Sequence, residues 1–139
     1  MHILNNIFTS DLKRIKLENG DVLHGIKKTD TGFIDFGEAY FSTIKYSSVK
    51  AWKKHTKMTM NLIVPVGSVK FVMTDGKDFQ EYNLSKENYK RLTVPPMIWF
   101  GFQGRSSEDS LILNIADILH DPEEVIKCDL NEFIYDWSM

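Results

Sequence analysis

Residues 60–76 read MNLIVPVGSVKFVMTDG, two apolar runs rich in β-branched side chains that break at Pro65-Val66-Gly67 and close at Asp75-Gly76. Each run is bounded by turn residues and is too short for an ordinary helix, so the stretch reads as two strands joined by a tight turn. The same grammar extends in both directions. Upstream, LKRIKLE (12–18) alternates apolar and polar residues up to Asn19-Gly20, and DVLHGIKK (21–28) alternates again, which predicts a hairpin. GFIDFGEAYFSTIKY (32–46) is aromatic and β-branched and predicts one or two strands. Downstream, DFQEYNLS (78–85), the end of KENYKRLTVPP (86–96), MIWFGFQG (97–104) and SLILNIAD (110–117) continue the series, with GRSSED (104–109) as an exposed loop. Only HDPEEVIKCD (120–129) suggests a helical turn, with Pro122 in its first turn and Asp121 at its N-cap.

Some ten short strands separated by turn residues predict an all-β sandwich or barrel, with at most one or two short helices. At 139 residues, with no repeat, linker or low-complexity tract, the expectation is a single domain over 1–139. In such a barrel, inward and outward residues alternate and the interior can hold one small ligand. The chain is 42% hydrophobic and 26% charged, and 17 basic against 19 acidic side chains leave a formal net charge of -2. That balance gives no global drive toward nucleic acid or an anionic membrane. The apolar runs are too short to span a bilayer, and the opening MHILNNIFTSDLKRIKLENG has no basic segment leading into a continuous apolar stretch. A cytoplasmic location is expected. Cys128 is the only cysteine, which excludes an intrachain disulfide and reads as structural or incidental.

Chemistry concentrates in VKAWKKHTK (49–57), where Lys50, Lys53, Lys54, His55 and Lys57 precede the first core strand. Three readings compete: a metal site, an anion site and a solvated basic edge that discourages strand-to-strand aggregation. A lone imidazole among ammonium groups is a poor substitute for the three or four ligands of a stable metal site, so no metal is expected. For an anion, Lys50, Lys53, Lys54, Lys57 and Arg91 are candidates. Strict alternation puts Lys53, His55 and Lys57 on one face and Lys50 and Lys54 on the other. Trp52 and Trp99 could stack on a base or sugar. Trp137 would close the core or pack on a partner, and Phe41, Phe71, Phe100 and Phe102 read as core. EAYFSTI (38–44) is a candidate dimer edge.

The segments GDVLHGIKK (20–28), FGEAYFSTI (36–44), the whole of 49–73, YKRLTVPPMIWFGFQG (89–104), LILNIADILHDPEE (111–124) and the closing YDW (135–137) together resemble the small cupins related to deoxythymidine-diphosphate-4-dehydrorhamnose 3,5-epimerase and the sugar-nucleotide ketoisomerases that share their fold. The resemblance spans roughly residues 12 to 137. It implies a cupin-like jelly roll, a homodimer, and a nucleotide-diphospho-4-keto-6-deoxy sugar bound in the barrel. It also implies a metal-independent, cofactor-free epimerase or isomerase in which a carboxylate-backed histidine removes the proton beside the ketone and a tyrosine opposite returns it.

Carried over by position, the family's basic-Gly-apolar-His motif falls on Lys50, Ala51, Trp52 and Lys53. Lys53 stands where that histidine would be, and His55 lies two residues on. The second family histidine falls on Phe100, and the late strand carries Asn114 and Asp117 in place of a tyrosine. The resulting catalytic candidates are His55 as base, Lys53 as enolate stabiliser, Asp129 or Glu38 as the carboxylate, and Tyr89 as acid. The substrate-binding candidates are Lys50, Trp52, Asn61, Arg91, Trp99 and Asn114. The alternative is a non-catalytic cupin module that keeps the pocket for a sugar nucleotide or carbohydrate.

Overall fold

A computed structural model describes residues 2–139. It contains strands β1 (Phe8–Asp11), β2 (Arg14–Ile15), β3 (Val22–Leu23), β4 (Glu38–Ile44), β5 (Val49–His55), β6 (Met60–Val66), β7 (Ser68–Thr74), β8 (Phe79–Ser85), β9 (Lys90–Val94), β10 (Trp99–Gly104), β11 (Ser110–Ala116) and β12 (Val125–Lys127). The helical segments among the described residues are single 3-10 turns at Ile3–Asn6, Pro122–Glu124 and Leu130–Glu132. At the second of these, the Asp121 side chain accepts from the Glu123 backbone N–H and Pro122 occupies the first turn, as the sequence predicted. No helix among the described residues is long and apolar enough to cross a membrane.

Two five-stranded antiparallel sheets form the sandwich, in the orders β1-β9-β6-β11-β4 and β12-β5-β10-β7-β8. This is a cupin-like jelly roll. The turn between β6 and β7 passes the chain from one sheet to the other, and Gly67 makes it at a φ of +89°. Between the sheets, Leu4, Ile44, Met58, Leu62, Val69, Phe71, Met73, Leu92, Val94, Ile98 and Ile112 form one buried cluster. The apolar members of β6 and β7 are nearly all buried, which is why their sequence reads as continuous runs with little alternation.

Several strand expectations shrink in the structure. The N-terminal hairpin is real but only two pairs long, Arg14 with Leu23 and Ile15 with Val22. Residues 32–37 form no strand before β4. Phe41 is no core residue: it lies 62% exposed on β4, whose alternation sends Tyr40 and Ser42 inward. Trp137 packs with Trp52 and Tyr135 in a C-terminal segment against the second sheet.

Candidate functional site

The site is a cavity of about 420 Å³ between the two sheets. Tyr40 and Ser42 of β4, Met60 and Leu62 of β6, and Ile112 and Asn114 of β11 supply one wall. Lys50, Lys53 and His55 of β5, with Phe71 of β7 and Phe100 and Phe102 of β10, supply the other, and Lys127 and Cys128 also line it.

Strict alternation in β5 would turn Lys50 away from Lys53, and a bulge prevents this. β10 pairs Phe102 with Lys50, Gly101 with Ala51 and Phe100 with Lys53, so Trp52 is one residue too many for its partner strand. Residues paired across a ladder share a face. Lys50 therefore joins Phe102 and Lys53 joins Phe100 on the cavity side, whereas Lys54 pairs with Trp99 on the far side, its ammonium 5.0 Å from that ring. The crowding at the bulge explains Gly101: a Cβ there would lie 2.5 Å from the Ala51 Cβ. The extra residue, Trp52, is 2% exposed, donates from Nε1 to the Leu130 carbonyl at 3.1 Å and packs on Phe79, Phe133 and Trp137. Its indole is thus largely spent on protein contacts.

His55 is buried and stacks on Phe100, with ring centroids 5.8 Å apart. Its Nδ1 lies 2.6 Å from Oε2 of Glu124, itself buried. The other oxygen of Glu124 accepts from the backbone N–H groups of Lys57 and Met58 at 3.1 and 2.9 Å. Burial pushes the Glu124 carboxyl upward, but the hydrogen bonds from His55, Met58 and Lys57 outweigh it, and the group is held below the usual carboxylate range. An ionised carboxylate only accepts, so Nδ1 carries a hydrogen and Nε2 is the nitrogen left for chemistry. Lys53 is half-buried, and burial, then the charges of Lys127 and Lys50, lower it from the ordinary lysine range, with Glu124 pulling the other way.

Across the cavity, Asn114 Nδ2 donates to the Tyr40 hydroxyl at 2.9 Å, from neighbouring strands in which the two residues are direct partners. Asn114 thus sits where the sequence placed it, in the wall, but with a tyrosine beside it that the sequence reading did not nominate.

The remaining candidates lie elsewhere. Tyr89 donates its hydroxyl to the His24 carbonyl at 2.8 Å and does not line the cavity. Asp129 is exposed and Glu38 opens β4 opposite Ala116; Glu124 holds the place given to them beside His55. Arg91 is 1% exposed and donates to the Gly25 and Thr31 carbonyls at 3.3 and 2.7 Å and to Asn61 Oδ1 at 3.1 Å. Asn61 in turn donates to the Gly32 carbonyl at 3.0 Å. The cause is alternation: Met60 and Leu62 point into the cavity, so Asn61 points out, and with Arg91 it pins residues 25–32 to the sheet. Trp99, on the far face of β10, packs on Phe133. Cys128 lines the wall with its thiol pushed up by burial and by Glu132 and Asp129.

Three side chains that could share a cation come together at His2, Asp75 and Asp78, where His2 Nε2 lies 3.0 and 2.9 Å from the two carboxylates. This is ion-pair geometry, and none of the three lines the cavity. Within the cavity, three lysines surround a lone thiol and one imidazole already bonded to a carboxylate, a donor set that does not suit a metal.

A family described as FdtA: WxcM-like, C-terminal, matches residues 5–137. The crystal structure of a dTDP sugar isomerase from Desulfovibrio desulfuricans G20 is similar at 33% identity and a TM-score of 0.90, over 96% of this chain and 91% of that one. At 21% identity and a TM-score of 0.79, with 90% of each chain covered, QdtA, a sugar 3,4-ketoisomerase from Thermoanaerobacterium thermosaccharolyticum, shares the fold. NovW, a 4-keto-6-deoxy sugar epimerase from Streptomyces spheroides, does so at 13% identity and a TM-score of 0.83, over 96% of this chain and 75% of that one. No curated protein matches the chain.

Proposed function

Because the chain belongs to the family described as FdtA: WxcM-like, C-terminal, we propose that it is a metal-independent epimerase or isomerase of a nucleotide-diphospho-4-keto-6-deoxy sugar, acting by proton abstraction beside the ketone. The observation that carries this reading is the His55–Glu124 pair at 2.6 Å in the wall of a cavity that also presents Lys53. A ketone acidifies the C–H bonds next to it, so the reaction needs a base, a positive group for the developing negative charge, and an acid.

His55 Nε2 is the base, and Glu124 balances the imidazolium that forms. Lys53, two residues along the same strand face, draws charge toward the carbonyl end. Tyr40 is the acid on the opposite wall: its oxygen already accepts from Asn114, so its own hydrogen is free to point at the ligand. Lys50 and Lys127, both exposed and both lining the cavity, are placed for a diphosphate. A homodimer through the exposed edge of β4 and a cytoplasmic location belong to the same proposal.

The test is incubation in deuterated water with deoxythymidine-diphosphate-4-keto-6-deoxyglucose, following the C3 and C5 proton signals by NMR. Catalysed exchange that falls at least about tenfold in His55→Ala is expected, since a positioned acid or base contributes ~10²–10⁴. Binding without exchange would leave a non-catalytic sugar-nucleotide module. Neither binding nor exchange would overturn the reading.

A further inference from the structure

Gly101 sits in β10 between Phe100 and Phe102, two residues of the cavity wall, yet it is buried and does not line the cavity itself. A Cβ built on it would stand 2.5 Å from the Ala51 Cβ, 3.2 Å from Cε3 of Trp52 and 3.3 Å from the Ala51 Cα. Two residues of β5 crowd this position because they share one partner. An ordinary cross-strand pair keeps its Cβ atoms about 4.5–5.5 Å apart. The bulge has room only while position 101 carries no side chain.

The two ends of β5 are held differently. On the edge away from β10, β12 pairs evenly, Val125 with His55, Ile126 with Lys54 and Lys127 with Lys53. Trp52 and Cys128 continue that ladder, each backbone N–H donating to the other's carbonyl at 3.2 Å. Residues 52–55 are thus fixed from the β12 side, and the facing of Lys53 and His55 with them. Among the described residues, β12 gives no partner to residues 49–51, so β10 alone decides which way Lys50 faces. Turned inward, the Lys50 Nζ reaches the opposite sheet and donates to the Thr43 carbonyl at 2.9 Å.

Resting on the reading above, in which Lys50 is placed for a diphosphate, we propose that Gly101 is a positioning residue for the ligand. By leaving room for the bulge it keeps Lys50 in the cavity, and so sets how many ammonium groups meet the phosphates. A side chain at 101 finds ordinary room opposite Trp52 once the pairing of the two strands becomes even. Alternation then turns Ala51 inward and Lys50 outward. Lys53, His55 and Glu124 keep their places, so the loss falls on binding and spares proton transfer. The glycine determines affinity while touching neither the ligand nor the ammonium it places.

The test titrates deoxythymidine diphosphate by calorimetry and follows deuterium exchange into deoxythymidine-diphosphate-4-keto-6-deoxyglucose in parallel. Gly101→Ala should bind the diphosphate about tenfold more weakly, the scale of one charge-assisted contact, and with a shallower dependence on salt. Lys50→Met should weaken binding to the same extent. Added to Gly101→Ala it should weaken it no further, because the ammonium has already left the cavity. Ala51→Gly removes the atom nearest the new Cβ, so the paired variant Ala51→Gly/Gly101→Ala should regain native affinity. In Gly101→Ala the exchange reaction should show a raised KM with kcat held. Native affinity in Gly101→Ala, additive losses with Lys50→Met, or no recovery with Ala51→Gly would overturn the proposal. So would a kcat that falls as far as kcat/KM, the mark of a wall distorted as a whole. Where thermal unfolding shows that Gly101→Ala does not fold, the paired variant decides, and weak binding or failure to fold in that chain overturns the proposal. Diphosphate binding in the expected pattern without exchange would overturn the keto-sugar chemistry and leave the role of Gly101 standing. No diphosphate binding to the native chain would overturn both.

Discussion

Asn114 and Tyr40 are direct partners across β11 and β4, and the amide of one donates to the phenol of the other at 2.9 Å on the wall facing His55. In the proposed mechanism the tyrosine expected on the late strand is supplied by the strand beside it, with the late-strand residue fixing which way its hydrogen points.

Replacing Tyr40 with Phe should separate proton removal from proton return. Conversion of a 4-keto sugar nucleotide is expected to fall by about 10²–10⁴, while exchange at the carbon attacked by His55 persists, because His55 can return a deuteron to the face it came from. Asn114→Asp should do the same, since a carboxylate would accept the Tyr40 hydrogen in place of donating to its oxygen. NMR in deuterated water reads both rates at once, and unchanged conversion in Tyr40→Phe would remove the tyrosine from the mechanism.

Glu124→Gln should weaken both the fold and the site. The carboxylate accepts from His55 and from two backbone N–H groups, and at least one of these buried donors loses its acceptor in the amide, at a cost of about 1–3 kcal/mol. Urea unfolding measures the loss, and the pH dependence of turnover reads whether the imidazole has lost its counter-charge.

The same carboxylate sets an acid response. Its folded-state pKa is depressed, so the stability it contributes is full above the ordinary glutamate value and is lost as the pH falls through the lower folded value. Stability of the native protein should therefore decline with acid below about pH 4.3 more steeply than that of Glu124→Gln. Parallel slopes in urea titrations across that window would contradict the assignment.

Lys53 should titrate below the ordinary lysine range, first because of its burial, and Lys127→Met should raise it, because Lys127 is the larger of the two like charges acting on it. NMR titration of the lysine side-chain signals distinguishes this from a purely desolvated amine, which Lys127→Met would leave in place.

At the β4 edge, Phe41→Lys should shift light-scattering mass toward the monomer, since a 62% exposed aromatic on an edge strand is replaced by a charge that resists edge pairing. A wild-type protein already monomeric at micromolar concentration would overturn the dimer.

The strands were readable because β-branched runs end at turn residues with a physical reason to turn, as at Gly67. Which face of a strand is buried was less so. Phe41 looks like core in isolation, and only its neighbours Tyr40 and Ser42, pointing at the cavity, show that it must point away. Lys50 and Lys53 could not be put on one face without the bulge, whose sole trace in the sequence is Gly101, on a different strand. Glu124 lies 69 residues from His55, and local spacing cannot reveal such a partner. Arg91 and Asn61 have the chemistry of a binding site and spend it on loop carbonyls. Tyr40 was within reach: pairing EAYFSTI antiparallel with SLILNIA puts it opposite Asn114.

The bulge at Trp52 makes the site vulnerable to a kind of change that leaves every reactive side chain intact. One residue added between Phe100 and Gly101 would give Trp52 a partner and restore even pairing between β5 and β10, and strict alternation would then turn Lys50 to the outer face while Lys53 and His55 stayed where they are. Relatives of this chain that differ by one residue in length at this point would then present one ammonium fewer to a ligand without any substitution among their charged residues. Comparing them column by column, with the gap ignored, would mistake a change of facing for conserved chemistry.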